Sequence, residues 1–292
     1  MTQVVLLGMV MKYQCKFLVS ALALAVSGEI LAAQSWGLVS PTLPGGVTNI
    51  QAYSNTGGTD NTANAAENAK LQTIQNATWY GQSDGWGGIR NADACTITST
   101  TPCTNFDASE LAAPEHAIDN NQRYDMVLVS FDSKVNLQSL TMSYRNNDSD
   151  FTVMAYTGSA VDTTGVKASL VGSTYSSLTG WTVVGNYNGA DLGSGVTNTT
   201  STTYNISSTV KTLSSWWLIG AYNPLVGGPT QAGVDHGSAA NYDHFKLASV
   251  YGCKSTESGC GGGGSSVPEP GSMALLAVGL LGLIRVRKVR LG

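Results

Sequence analysis

The amino-acid sequence predicts an all-β fold, a single antiparallel β-sandwich or jelly-roll-like domain, and two observations support this prediction. Short runs rich in β-branched and aromatic residues recur from residue 124 onward. Gly, Asn or Pro separate these runs, and no helical periodicity alternates with them. About seven short strands joined by turns are typical of an antiparallel sandwich or jelly roll.

The predicted strands follow in chain order. Residues 124–131 form a continuous apolar run, and residues 135–144 alternate between apolar and polar side chains. A polar turn at residues 145–150 then leads into a strand at Phe151–Tyr156. The later predicted strands are short and lie at Trp181–Tyr187, 202–206, 216–222 and 244–251.

The beginning of the domain is polar, and residues 35–78 predict a loose segment with at most one or two helical turns at residues 61–75. Trp79 and Trp86 follow in a glycine-rich stretch. A flat aromatic ring beside glycine can stack on the apolar face of a sugar, so both residues are candidates for carbohydrate binding. The other interpretation is that the two rings close one end of the sandwich.

Residues 34–266 carry nine Lys and Arg against seventeen Asp and Glu, a net charge of −8. Such an acidic segment lacks the electrostatic footprint of a nucleic-acid-binding protein. Residues 34–260 are long enough for one sizeable β domain. Residues 261–266, which are all Gly or Ser, predict a flexible linker after it.

Four cysteines lie in the predicted domain. Cys95 is close in sequence to Cys103, and Cys253 is close to Cys260, so two local disulfides are favoured in an oxidising compartment. The alternative is a zinc site built from all four thiolates. Such a site prefers pairs separated by two residues, and these spacings are wider.

The chain carries three histidines, His116, His236 and His244, and none stands at a metal-ligand spacing. No G-x-S-x-G nucleophile elbow is present either. We therefore expect no enzymatic activity and no catalytic residues. A surface hydrolase whose Ser-His-Asp set assembles across the fold is the alternative.

Structural calcium is the candidate cofactor, because hard cations bind carboxylate and amide oxygens. Acidic and amide side chains stand near the ends of predicted strands, at Asp119, Asn120, Asp125, Asp148 and Asp150. Asp and Asn are also ordinary turn residues that hydrogen-bond their own backbone, and this second interpretation is favoured.

The C-terminal end has three parts. Val267, Pro268, Glu269 and Pro270 predict an extended, accessible segment, because proline fixes φ and keeps the preceding residue out of the α region. The uncharged residues 271–284 follow and predict a transmembrane helix of roughly 21 Å, short for a bilayer core of about 30 Å.

Four cations close the chain, and they favour a cytoplasmic location for that end of the predicted helix. They are Arg285, Arg287, Lys288 and Arg290. A buried core helix or an interfacial segment is the alternative for residues 271–284. The basic end and the Gly/Ser linker argue against it.

Residues 1–33 predict a signal peptide. Lys12 and Lys16 form a basic region, residues 17–26 are apolar, and Ala32 and Ala33 offer small residues for cleavage. Met11 is a candidate for the true start, because the uncharged residues 1–10 are unusual before a basic region. An uncleaved N-terminal anchor is the alternative.

The C-terminal arrangement resembles the PEP-CTERM sorting signal. This resemblance implies a protein exported by a Gram-negative bacterium that makes an extracellular polysaccharide. It also implies recognition at the inner membrane by exosortase, a membrane cysteine transpeptidase thought to cut at or near Pro-Glu-Pro. The expected destination is the cell surface or the extracellular matrix, where exopolysaccharide is a candidate partner.

The domain carries a second, less specific resemblance. Residues 116–120 and 124–131, Asp148 to Asp150 entering a strand that ends in residues 155–158, and residues 243–247 resemble a group of exosortase-dependent surface proteins of unassigned activity. This resemblance implies a β-rich surface domain and no particular chemistry.

Overall fold

The computed structural model describes residues 34–39, 42–55, 73–81, 87–90, 116–121, 123–206, 211–236, 242–257 and 260. These residues form twelve strands, one α-helix, α1 (Thr163–Leu170), and two short 3₁₀ helices at Tyr175–Ser177 and Pro224–Val226. The strands are β1 (Gln34–Gly37), β2 (Val47–Ser54), β3 (Gln75–Gly81), β4 (Gly87–Arg90), β5 (Ile118–Asp119), β6 (Asp125–Asn147), β7 (Phe151–Tyr156), β8 (Trp181–Tyr187), β9 (Thr197–Asn198), β10 (Thr202–Asn205), β11 (Ser214–Ala221) and β12 (Asp243–Lys254).

The central element is β6, a strand of 23 residues. Its first part pairs with β2 and β11, and its second part pairs with β12, β10 and β9. The register shifts between Ser214 and Trp216 of β11, which pair with Val135 and Ser130 of β6. Because of this irregularity, β11 pairs with β6 both before and after residues 131–134.

All twelve strands belong to one hydrogen-bonded sheet, so the all-β prediction is confirmed but the sandwich or jelly-roll arrangement is wrong. The pairings form a closed circuit from β6 through β2, β3, β4 and β12 back to β6. The physical reason is that residues 125–147 contain no Gly or Pro. The two strands predicted on either side of residue 132 therefore continue as one.

Two hydrophobic cores lie on opposite faces of the first part of β6. Val127 and Val129 belong to the larger core, where Trp217 and Phe245 are also buried, whereas Leu128 belongs to the smaller one. Alternate residues of a strand point to opposite faces, so a strand buried on both faces has a continuous apolar sequence. This explains the uninterrupted apolar run at residues 124–131.

Helix α1 covers the smaller core, and the sequence did not predict it. Asp162 caps its first turn by accepting a hydrogen bond from Gly165 N at 2.7 Å, and Val166 and Leu170 are buried beneath it. The helix has only eight residues and two buried side chains. It is therefore too short to show a helical period in the sequence.

The prediction of a loose segment at residues 35–78 is wrong where β1, β2 and the start of β3 lie, and residues 56–72 of that segment lie outside the described residues. Their side chains are largely polar, yet β2 pairs with β6 over its whole length. Pairing with an apolar neighbour distant in sequence stabilises this strand, and no local pattern reveals it.

The sequence predicts strand β7 directly after a polar turn that follows residues 135–144. It begins and ends where predicted, but it pairs with β11 and β8. Residues 145–147 extend β6 instead of forming the predicted turn. Local sequence therefore located this strand without identifying its partners.

The first strand of the domain and its last described residue are both joined to the C-terminal part of β12. Gln34 of β1 pairs with Gly252, and Cys253 forms a disulfide with Cys260 across a Cα separation of 5.7 Å. The prediction of this disulfide is confirmed. Cys95 and Cys103 lie outside the described residues.

Within the described ranges, no helix is both long enough and apolar enough to cross a membrane. The predicted signal peptide at residues 1–33, the linker at 261–266 and the transmembrane segment at 271–284 all lie outside those ranges.

A candidate metal centre of buried carboxylates

Three aspartates meet where β6 ends and β12 begins. Asp148 and Asp150 lie between β6 and β7, and Asp243 is the first residue of β12. One carboxylate oxygen from each lies within 4.8 Å of the others. All three side chains are buried, Asp150 and Asp243 at 1% and 0% exposure. We call these three residues the acidic centre.

Backbone amides and one asparagine hold the acidic centre in place. Asp243 Oδ1 accepts a hydrogen bond from Asp150 N at 2.7 Å, and its Oδ2 accepts one from Asn120 Nδ2. Asp150 accepts hydrogen bonds from Gly189 N and Asp235 N, both at 2.8 Å. The carboxylates therefore connect five separate stretches of the chain, at Asn120, residues 148–150, Gly189, Asp235 and Asp243.

Asp148 is less constrained than its two neighbours. Within the described residues, its carboxylate accepts one hydrogen bond, from Ser149 N at 2.7 Å. The oxygens of this carboxylate can therefore accept further hydrogen bonds or bind a cation, and two other buried carboxylates lie beside it.

Burial, together with repulsion from neighbouring aspartates, raises the pKa values of all three carboxyl groups. For Asp148, burial has the largest effect and the charge of Asp150 the next largest, and together they raise its pKa to about 7. Burial also raises the pKa of Asp150 to about 6 and that of Asp243 well above its ordinary value. Asp191 and Asp235 add further negative charge near Asp148 and Asp150. A bound cation would offset this cost.

These pKa values predict an unusual pH dependence in the presence of a chelator. Because the folded carboxyls retain protons that the unfolded chain has lost, the free energy of unfolding should fall as pH rises from about 4 to 7. Urea unfolding at pH 5 and pH 8 measures this, and we expect greater stability at pH 5. A protein equally stable at both pH values, or more stable at pH 8, would contradict the raised pKa values of the acidic centre.

The acidic centre contains part of the predicted calcium set. Asn120, Asp148 and Asp150 come together, whereas Asp119 and Asp125 are not members of the three-carboxylate group. Asp243 was missed, because it lies 93 residues after Asp150. Its only sequence signal is its place immediately before the predicted strand at residues 244–251.

The three histidines take part in separate arrangements. His236 Nε2 lies 2.9 Å from the hydroxyl of Tyr124, and His244 Nδ1 lies 2.7 Å from Tyr242 O. The ring of His116 packs against that of Tyr80, with centroids 4.4 Å apart. Among the described residues, no histidine joins a group that could hold a metal.

A second metal-compatible group, Cys253, Glu257 and Cys260, contains the disulfide-bonded cysteines. A disulfide offers no thiolate to a metal, so we assign this group a structural role: the disulfide links Cys260 to the end of β12.

Trp79 lies on β3, half-buried against the larger core. Its ring occupies the space where a side chain on Gly87 would stand. This packing is consistent with the interpretation that the ring closes one end of the domain. Trp86 lies outside the described residues, so the sugar-binding prediction for this pair stays a prediction.

The comparisons with known proteins concern the other end of the chain. A model of the PEP-CTERM protein-sorting motif matches residues 266–288. The chain carries a PEP-CTERM signal. This finding confirms the resemblance seen in the sequence and supports exosortase-dependent sorting of an exported protein. No curated protein and no solved structure matches the chain.

Proposed function

We propose that this PEP-CTERM protein is exported with a cleaved signal peptide and anchored transiently in the inner membrane by residues 271–284. Exosortase then cuts at or near Pro268-Glu269-Pro270, which leaves the β domain on the cell surface or in the exopolysaccharide matrix of a Gram-negative bacterium. The single observation that supports this function is the sorting motif at residues 266–288.

The chemistry of the tail fits this sequence of events. The two prolines disfavour a helical backbone in the cleavage segment, and an extended segment suits binding by a transpeptidase. Arg285 and Arg287 hold the far end of the hydrophobic segment in the cytoplasm, and the linker at 261–266 separates the folded domain from the membrane.

Removal of exosortase tests the proposal. In the parent strain we expect tail-less protein outside the inner membrane, and in an exosortase deletion we expect the full tail in the inner-membrane fraction. Fractionation followed by immunoblotting with an antibody against the β domain compares the two. Identical size and location in both strains would contradict the proposal.

We further propose that the acidic centre binds calcium as a structural ion. Asp148, Asp150 and Asp243 would hold the ion, and Asn120 would position Asp243 through its amide. Hard carboxylate oxygens suit calcium, and the ion would offset repulsion between buried like charges. The proposed role of the domain is structural or binding rather than enzymatic.

A further inference from the structure

The two ends of the domain leave from the same place. Gln34, the first residue after the predicted signal peptide, pairs with Gly252 near the end of β12. The next residue, Cys253, is linked to Cys260, after which the linker to the sorting signal begins. Signal peptide and sorting tail therefore attach to one end of the molecule, which we call the tether pole.

The tether pole also includes residues 132–134 in the middle of β6. Lys254 Nζ forms a salt bridge with Asp132 at 2.9 Å, and Ser255 N donates a hydrogen bond to Lys134 O at 2.7 Å. Asp132, Lys134, Lys254 and Glu257 all lie at this end, so it carries side chains of both charges.

The opposite end of β12 carries the acidic centre. Asp243 and Cys253 are ten residues apart on one strand, a distance of roughly 30 Å at about 3.3 Å per residue. Asp191 and Asp235 lie close enough to raise the pKa of both Asp148 and Asp150. We call this end, defined by Asp148, Asp150, Asp191, Asp235 and Asp243, the acidic pole.

The chain between the domain and the predicted membrane segment is short. Residues 261–270 span at most about 35 Å when extended, and a flexible chain of that length averages about 17 Å. The tether pole is thus held near the bilayer. Anionic lipid headgroups repel the exposed Asp191 and Asp235 of the acidic pole within about one Debye length of the surface.

We propose that, while the sorting tail is attached, the tether pole faces the membrane surface and the acidic pole faces away from it. This inference rests on the proposed anchoring of residues 271–284. In this orientation the cleavage segment stays within reach of a membrane enzyme while the domain is folded. The acidic centre meanwhile faces the ions and polymers outside the membrane.

Fluorescence quenching in vesicles tests the orientation. The protein with its sorting tail is purified under oxidising conditions from a host without exosortase and reconstituted in phosphatidylcholine–phosphatidylglycerol vesicles. One variant carries a dye at Ser133→Cys on the tether pole. The other carries it at Ser194→Cys, beside the two amides that bind Asn147. With a quencher on the lipid headgroups, we expect several-fold stronger quenching at position 133.

Two further measurements separate the possible outcomes. The difference between the two labels should shrink in vesicles of phosphatidylcholine alone and at high salt, and unlabelled parent protein treated with dye reports background labelling. Protein that floats with the vesicles but shows equal quenching, or stronger quenching at position 194, would overturn the orientation alone. Protein that fails to float would overturn the anchoring and the orientation together.

Discussion

Replacing Pro268 and Pro270 together by alanine will leave the protein uncleaved in the inner membrane. Alanine permits the helical conformation that proline forbids, so the predicted helix at 271–284 can extend toward the linker. A transpeptidase that binds an extended backbone then loses its substrate. Immunoblots of membrane and extracellular fractions should show full-length protein in the first and almost none in the second.

A matched control separates this effect from a general change in the tether. The double change Gly263→Ala with Ser265→Ala alters the linker but leaves Pro-Glu-Pro intact, and this variant should be processed like the parent protein. If the proline variant is also cut and released at the parent rate, the two prolines do not define the signal.

Changing Asp148 to Asn will abolish stabilisation by calcium. Asparagine can still accept the hydrogen bond from Ser149 N, but it removes one charge from the acidic centre. The parent protein should gain about 2.7 kcal/mol in free energy of unfolding at a calcium concentration 100 times the dissociation constant. The Asp148→Asn variant should lose most of this gain. Thermal unfolding at pH 8, with calcium or with chelator, measures both.

The chelated state distinguishes a binding defect from a folding defect. With chelator at pH 8, Asp148→Asn should be at least as stable as the parent protein, because one repulsive charge is gone. Asp162→Asn is the control, since asparagine also caps a helix and this residue lies at α1. A parent protein without any calcium response would remove the proposed ion.

The parts of the molecule that could be predicted from sequence are those whose signal is local. Residues 151–156 and 181–187 alternate or run apolar between turn residues, and both strands lie where expected. The sorting signal is likewise contiguous. The disulfide between Cys253 and Cys260 was predictable because its partners are seven residues apart.

The remaining features depend on residues distant in sequence. β2 is stabilised by pairing with β6, and its own residues do not alternate cleanly. The acidic centre needs Asp243 beside Asp150, which only the antiparallel pairing of β12 with β6 brings about. Composition at strand ends indicated part of this set, but nothing local distinguished it from ordinary turns.

Mass spectrometry of the intact protein recovered from the cell surface and the culture medium tests export and processing most directly. We expect a chain that begins at or near Gln34 and lacks residues 271–292. Protein found only in the cytosol, with both chain ends present, would contradict the account.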